Sequence, residues 1–210
     1  MKSNKKLIEI LRNISKVIQE NKQFLTDLDA AIGDGDHGLN MSKGFKAFDE
    51  KVLTLVEKDC GSILKTLAMT LISTVGGASG PLYGTAFLKA SIVVNGKMNL
   101  DNEDILKMFE EMIGGIKMRG KGERGEKTML DSIIPAYDSL KESFGSGKDV
   151  VQAFRTATEQ AFEGVEFTKT IKATKGRASY LGDRSIGHQD PGATSSYLMI
   201  NAVYETLKKL

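Results

Sequence analysis

Apolar residues return every three or four positions along almost the whole chain, as in Leu7, Leu11, Ile14, Val17 and Ile18, and no stretch alternates as a strand does. That period restricts the chain to packed amphipathic helices. Eight are predicted, over 3–28, 38–57, 60–75, 81–94, 102–119, 127–144, 148–168 and 193–210. Asp101 with Asp104 three residues on can cap the fifth, and Gly145-Ser146-Gly147 can stop the sixth. Pro135 falls inside the sixth pattern, where a residue without an N–H either kinks a helix or marks its first turn. A chain of 210 residues is expected to form one domain, 1–210.

Short links join antiparallel neighbours, so eight consecutive helices predict an all-α fold, an up-and-down bundle or a closed barrel of eight antiparallel helices. In that topology the odd-numbered connections emerge at one end. They read IGDGDHG, VGGASGP, RGKGERGEK and KGRASYLGDRSIGHQDPG, and hold 13 of the 22 glycines. Glycine permits positive φ and close approach of backbone to a ligand, so one rim is predicted to bind and the other to be structural. For any one loop alone, helix termination accounts for the glycines equally well.

The 29 basic and 27 acidic residues leave a net charge of +2, too near balance for a nucleic-acid backbone to be the main partner. The N-terminal MKSNKKLIEILRN is broken by charges every few residues, so neither a signal peptide nor a membrane span is expected, and the protein is expected in the cytoplasm. Cys60 is the only cysteine, which excludes an internal disulfide and a thiolate metal cluster within one chain.

The strongest local signal is Asp29, Asp34 and Asp36, interleaved with glycine at a helix junction. Carboxylates are the hard ligands Mg²⁺ or Ca²⁺ prefers, and glycines let the chain curl so that all three face one centre. An isolated Asp-Gly pair reads as a turn. An EF-hand is ruled out, because the position for its terminal glutamate is Phe45. Few carboxylates around Mg²⁺ leave sites for phosphate oxygens, so a phosphorylated ligand is expected with the metal. Gly76-Gly77-Ala78-Ser79-Gly80-Pro81 leads into a helix whose N-terminal amides and dipole suit phosphate, although it is not a Walker A sequence and alone reads equally as a helix hairpin. Arg119, Lys121, Arg124, Lys127, Lys175 and Arg177 line the remaining odd loops. Arg177 ranks first among them, since its guanidinium can fork onto phosphate. Asp190-Pro191-Gly192 reads as a rigid turn. His37 and His188 could touch ligand, accept phosphate or satisfy backbone groups, and their spacing does not choose.

In order along the chain, residues 29–38, 76–82, 119–129, 176–182 and 187–193 resemble the motifs of the nucleotide-binding L subunit of phosphotransferase-system-dependent bacterial dihydroxyacetone kinase. The resemblance runs nearly end to end. It implies a barrel of eight helices with ADP or ATP at one rim and two Mg²⁺ ions on Asp29, Asp34 and Asp36. Nucleotide contacts are implied for His37, Gly38, Leu39, Asn40, Ala78, Ser79, Gly120, Met129, Arg177, Asp190, Pro191 and Gly192, with no side chain as acid, base or nucleophile. It implies a split kinase as well. A K subunit holds dihydroxyacetone, and a phosphohistidine on the M subunit, a phosphotransferase-system protein, recharges bound ADP to ATP, whose γ-phosphoryl group passes to dihydroxyacetone. Related kinases fuse the substrate domain to this one. Two rival readings stand beside it: part of another kinase of this fold, such as the fatty-acid kinases, and a nucleotide-loaded regulator that binds a transcription factor.

Overall fold

The computed structural model describes residues 4–210; position 3, the expected start of the first helix, lies outside the described residues. The regular structure of the described residues is all helical and includes no strand. The helices are α1 (Asn4–Glu20), α2 (Lys22–Ile32), α3 (His37–Val52), α4 (Cys60–Thr74), α5 (Ser79–Val93), α6 (Asn102–Gly120), α7 (Leu130–Gly145), α8 (Val150–Thr170) and α9 (Pro191–Leu207), with 3₁₀ segments at Leu53–Leu55 and Arg177–Ser185. None of them is long and apolar enough to cross a membrane.

Most boundaries lie within three residues of those expected, the second expected helix ends at Val52 rather than 57, and three further differences have local reasons. The expected first helix is two helices, because Asn21 sits at φ −94 and ψ 13 and its side-chain amide donates to the Val17 carbonyl at 2.9 Å. Asparagine competes with helix geometry in this way, and the break turns α2 so that Asp29 faces inward. The sixth expected helix begins at Leu130 rather than 127, because Lys127 has φ 61 and the Asp131 carboxylate turns the chain by accepting from Thr128 N at 2.7 Å and Gly125 N at 2.5 Å. The loop before α9 contains the 3₁₀ segment, which apolar periodicity does not announce. The caps follow the sequence reading. Asp101 and Asp104 form a reciprocal capping box on α6, and α7 stops at Gly145 with Gly147 at φ 78.

Pro135 lies inside α7, not at its start. Having no N–H, it leaves the Asp131 carbonyl without its helical donor. That carbonyl faces α8 where Gly164 crosses, so near that a Cβ there would lie 2.0 Å from the oxygen.

α3, α4, α5, α6, α7, α8 and α9 each pack on the next in order, and α1 packs on both α3 and α9. Met41, Phe45 and Phe48 from α3, Leu67 and Leu71 from α4 and Tyr83 from α5 are among the fully buried side chains between them. α2 lies across α3 and α9 at one end, where Gly38 lets the helices touch, since a Cβ on it would meet the Lys22 carbonyl at 2.1 Å.

Gly164→Ala is expected to cost about 1–3 kcal/mol of stability through the forced separation of α7 and α8. Gly114→Ala, on the open face of α6 with nothing within 4 Å, is expected to gain up to about 1 kcal/mol from helix propensity. Urea unfolding midpoints of the two variants, moving in opposite directions, check both.

Candidate functional site: one cleft shared by four connections

The carboxylate of Asp29, in the last turn of α2, accepts from the backbone N–H of Asp36 at 2.9 Å and of His37 at 3.1 Å. It therefore fastens the start of α3 to the end of α2 and satisfies amides a helix leaves open. Gly33 makes room for it, because a Cβ at that position would lie 2.2 Å from Asp29 Oδ1, and Gly35 at φ 73 completes the turn. The outcome is a triad: Asp29, Asp34 and Asp36 each offer an oxygen within 4.8 Å of the others. Crowding has an electrostatic signature. The Asp36 carboxyl is raised above its usual range, first by burial and then by Asp34 and Asp29, against the Asn40 side chain and Arg177, which lower it. Arg177 approaches from across the cleft, with Nη2 2.8 Å from Asp34 Oδ2. Three hard oxygen donors with one guanidinium between them leave excess negative charge, and this donor set fits a divalent cation such as Mg²⁺.

Opposite the triad, the chain passes from α4 to α5 through Gly77 at φ 63, which leaves space beside the Asp36 carboxylate: a Cβ on Gly77 would be 3.8 Å from Oδ1. Ser79 opens α5, and its hydroxyl lies 2.9 Å from His37 Nδ1. The other ring nitrogen, Nε2, lies 2.9 Å from Ser195 Oγ of α9. Burial pushes the His37 imidazole down to about 4, against the opposing pull of Asp29 and the Pro191 backbone. Both ring nitrogens are thus engaged by hydroxyls, one of them that of Ser79. The Ser195 hydroxyl also meets Tyr83 OH at 2.8 Å, and Tyr83 reaches Ser196 at 2.7 Å and the Gly192 carbonyl at 3.0 Å. A buried polar chain thus ties α3, α5 and α9 together under the cleft.

The remaining walls come from the end of α6 with the loop into α7, and from the loop between α8 and α9. Asp190 is buried and caps α9, accepting from Ala193 N at 2.7 Å. Burial raises its carboxyl to about 7, with Asp131 adding to the rise and the Ala193 amide, Lys127 and the Gly192 amide opposing it.

These pieces enclose a cleft of about 520 Å³, within the range of small-molecule sites. Of the residues singled out from sequence, Asp29, Asp34, Asp36, His37, Ala78, Ser79, Arg119, Gly120, Lys127, Met129, Lys175, Arg177, Asp190, Pro191 and Gly192 line it. Gly38, Leu39 and Asn40 are not in its lining. Gly38 is packed against α2, Leu39 is half exposed, and the Asn40 amide lies against Gly76, whose Cβ would be 3.0 Å away. His188 is exposed. Lys127, one of the six basic residues of the odd loops, is buried, and a charged residue in a glycine-rich loop carries no mark of that.

Residues 31–205 match the family model described as DAK2 domain. The chain belongs to this DAK2 family. Two DAK2 relatives are similar nearly end to end. The PEP-dependent dihydroxyacetone kinase, ADP-binding subunit DhaL of Escherichia coli (strain K12) is 44% identical over 198 residues, 94% of each chain. The corresponding subunit of kinase 1 of Listeria innocua serovar 6a is 48% identical over 200 residues, 93% of each. Among solved structures, the dihydroxyacetone kinase of C. freundii superposes on 97% of this chain with a TM-score of 0.72 at 22% identity in its native form. Its complex with AMP-PNP and Mg²⁺ gives 0.73 at 23%. This chain spans about a third of that kinase, 34% of its length, and the likeness establishes the fold alone.

The Asp190 carboxyl is protonated in the fold up to about pH 7 but ionises near 3.8 once unfolded. Its contribution to stability is therefore complete below about pH 4 and is lost as pH rises through 7. Asp190→Asn keeps a cap acceptor and cannot ionise, so the variant's stability relative to the parent is expected to rise steadily from pH 4 to 7, as read by urea unfolding at each pH.

Proposed function

We propose that this chain is the nucleotide-carrying subunit of a dihydroxyacetone kinase that draws its phosphate from the phosphotransferase system. The observation that carries the reading is the acidic triad facing Gly77, Ser79 and Arg177 across one cleft, in a chain 44% identical to an ADP-binding DhaL subunit over 94% of its length. In this reading the chain is one domain over 1–210 in the cytoplasm, and its helices close into an eight-helix barrel, supported by the return of α9 to α1.

Asp29, Asp34 and Asp36 would hold Mg²⁺, two ions by analogy with the family. Mg²⁺ supplies neutralisation of phosphate charge and alignment of the transferring group. The chain's residues do the rest. Amides at the start of α5 and the Ser79 hydroxyl face the diphosphate, and His37 keeps that hydroxyl in one orientation. Arg177 offers its guanidinium to phosphate oxygens. By analogy with the family, Gly38, Leu39 and Asn40 at the start of α3 would meet the nucleotide from outside the cleft lining, and Gly120, Met129, Asp190, Pro191 and Gly192 would shape the adenosine end. Because no side chain need act as nucleophile, catalysis is positioning and electrostatics.

Phosphoryl groups would arrive from the phosphohistidine of an M subunit and leave to dihydroxyacetone held by a K subunit, both docking in turn at the cleft mouth. Another kinase of this fold, or a nucleotide-loaded partner of a transcription regulator, would use the same cleft with different partners.

Reconstitution decides between them. With K and M partners, the chain is expected to form dihydroxyacetone phosphate from phosphoenolpyruvate without free ATP. Tight ADP binding with no phosphorylated dihydroxyacetone would replace this reading with the regulator or another kinase. Asp36→Asn is expected to weaken Mg²⁺-dependent ADP binding by at least the roughly 10–100-fold that loss of an outer partner costs a metal site. Titration calorimetry that finds the affinity unchanged would contradict the metal assignment.

A further inference from the structure

Lys127 is 1% exposed, and its backbone adopts φ 61, a region lysine rarely occupies. A buried ammonium must be met by acceptors. Its Nζ donates to the carbonyls of Thr168 and His188 and, at 3.4 Å, to that of Ile171. Thr168 and Ile171 lie at the C-terminus of α8, where carbonyls lack helical donors and the dipole end is negative. His188 lies at the far end of the following loop. One ammonium thus pins together the two ends of the loop that carries Arg177. The base is closed again by Gly187 N donating to the Lys169 carbonyl at 2.7 Å. Glu126, next to Lys127, holds the flank: its backbone carbonyl accepts from Thr174 N at 3.3 Å, and its carboxylate from Thr174 Oγ1 at 3.2 Å. Compact loops with closed ends are rigid enough to present a side chain. The loop crosses the cleft to set Arg177 against Asp34.

We propose that Lys127 is a positioning residue: although its side chain lines the cleft, its ammonium is taken up by backbone carbonyls, and through the 171–188 loop it fixes where Arg177 meets the phosphates of the nucleotide. This rests on the nucleotide reading above. An ordinary structural lysine would support the whole fold and every part of the site alike. A positioning lysine acts on phosphate recognition alone, and only while Arg177 is present.

The test is calorimetry on the full chain with Mg²⁺-ADP and, as a probe lacking phosphates, adenosine. Lys127→Met is expected to weaken ADP binding at least about tenfold, in line with the sensitivity of bound geometry to small displacements. Adenosine affinity should stay within about twofold. In an Arg177→Ala background, Lys127→Met should cause no further loss of ADP affinity, since coupled residues are not additive. Equal losses for ADP and adenosine, or additive losses in the double variant, overturn the inference. If circular dichroism shows Lys127→Met unfolded, the pair Glu126→Gln with Thr174→Val, which loosens the same loop from its flank, is judged by the same two criteria. Failure of the parent chain to bind Mg²⁺-ADP removes the nucleotide reading and this inference together; binding by the parent with an additive cycle removes this inference alone.

Discussion

The two amide hydrogen bonds onto the Asp29 carboxylate fix the geometry on which the cleft depends. They join the end of α2 to the start of α3 at one angle and decide where Asp34 and Asp36 emerge. A backbone-satisfying carboxylate is rigid, whereas carboxylates on free turns would avoid one another. Here mutual repulsion is built in, and its mark is the raised Asp36 carboxyl. The fold stabilises this crowding with the remote guanidinium of Arg177 and with the space Gly33 and Gly77 leave empty.

Behind that acidic wall the polar interior is fully engaged. His37, Ser195, Tyr83 and Ser196 pass hydrogen bonds between three helices, and no buried side-chain nitrogen or oxygen among the described residues lacks a partner. Such a network stays in one arrangement because each alternative would leave a group unpaired in a dry setting. The cleft therefore combines a floor of packed helices with a roof of loops. Its floor places donors and acids, and its roof carries arginine and lysine.

Much of this was legible in the residues. The helical period gave the all-α class, and the glycine-rich odd connections named four segments that do share one cleft. The acids were marked by their spacing, and the cap of α6 and the end of α7 by ordinary helix-end chemistry. What escaped has a common physical origin, since it depends on which side chain faces inward after the chain turns. Asn21 divides the first helix through one side-chain bond to a carbonyl, and an asparagine in a helical pattern carries no sign of that. Lys127 is buried because Asp131 and a left-handed residue reverse the loop. Ser195 and Tyr83 join the site floor from helices whose pattern reads simply as core.

The crossing of α7 and α8 bears on how such a chain can diverge over generations. Pro135 strips the Asp131 carbonyl of its helical partner, and Gly164 brings a bare backbone against that same oxygen. An inherited change at either position alters what the other must accommodate. The pair is therefore expected to drift as a unit, even though the two lie on different helices.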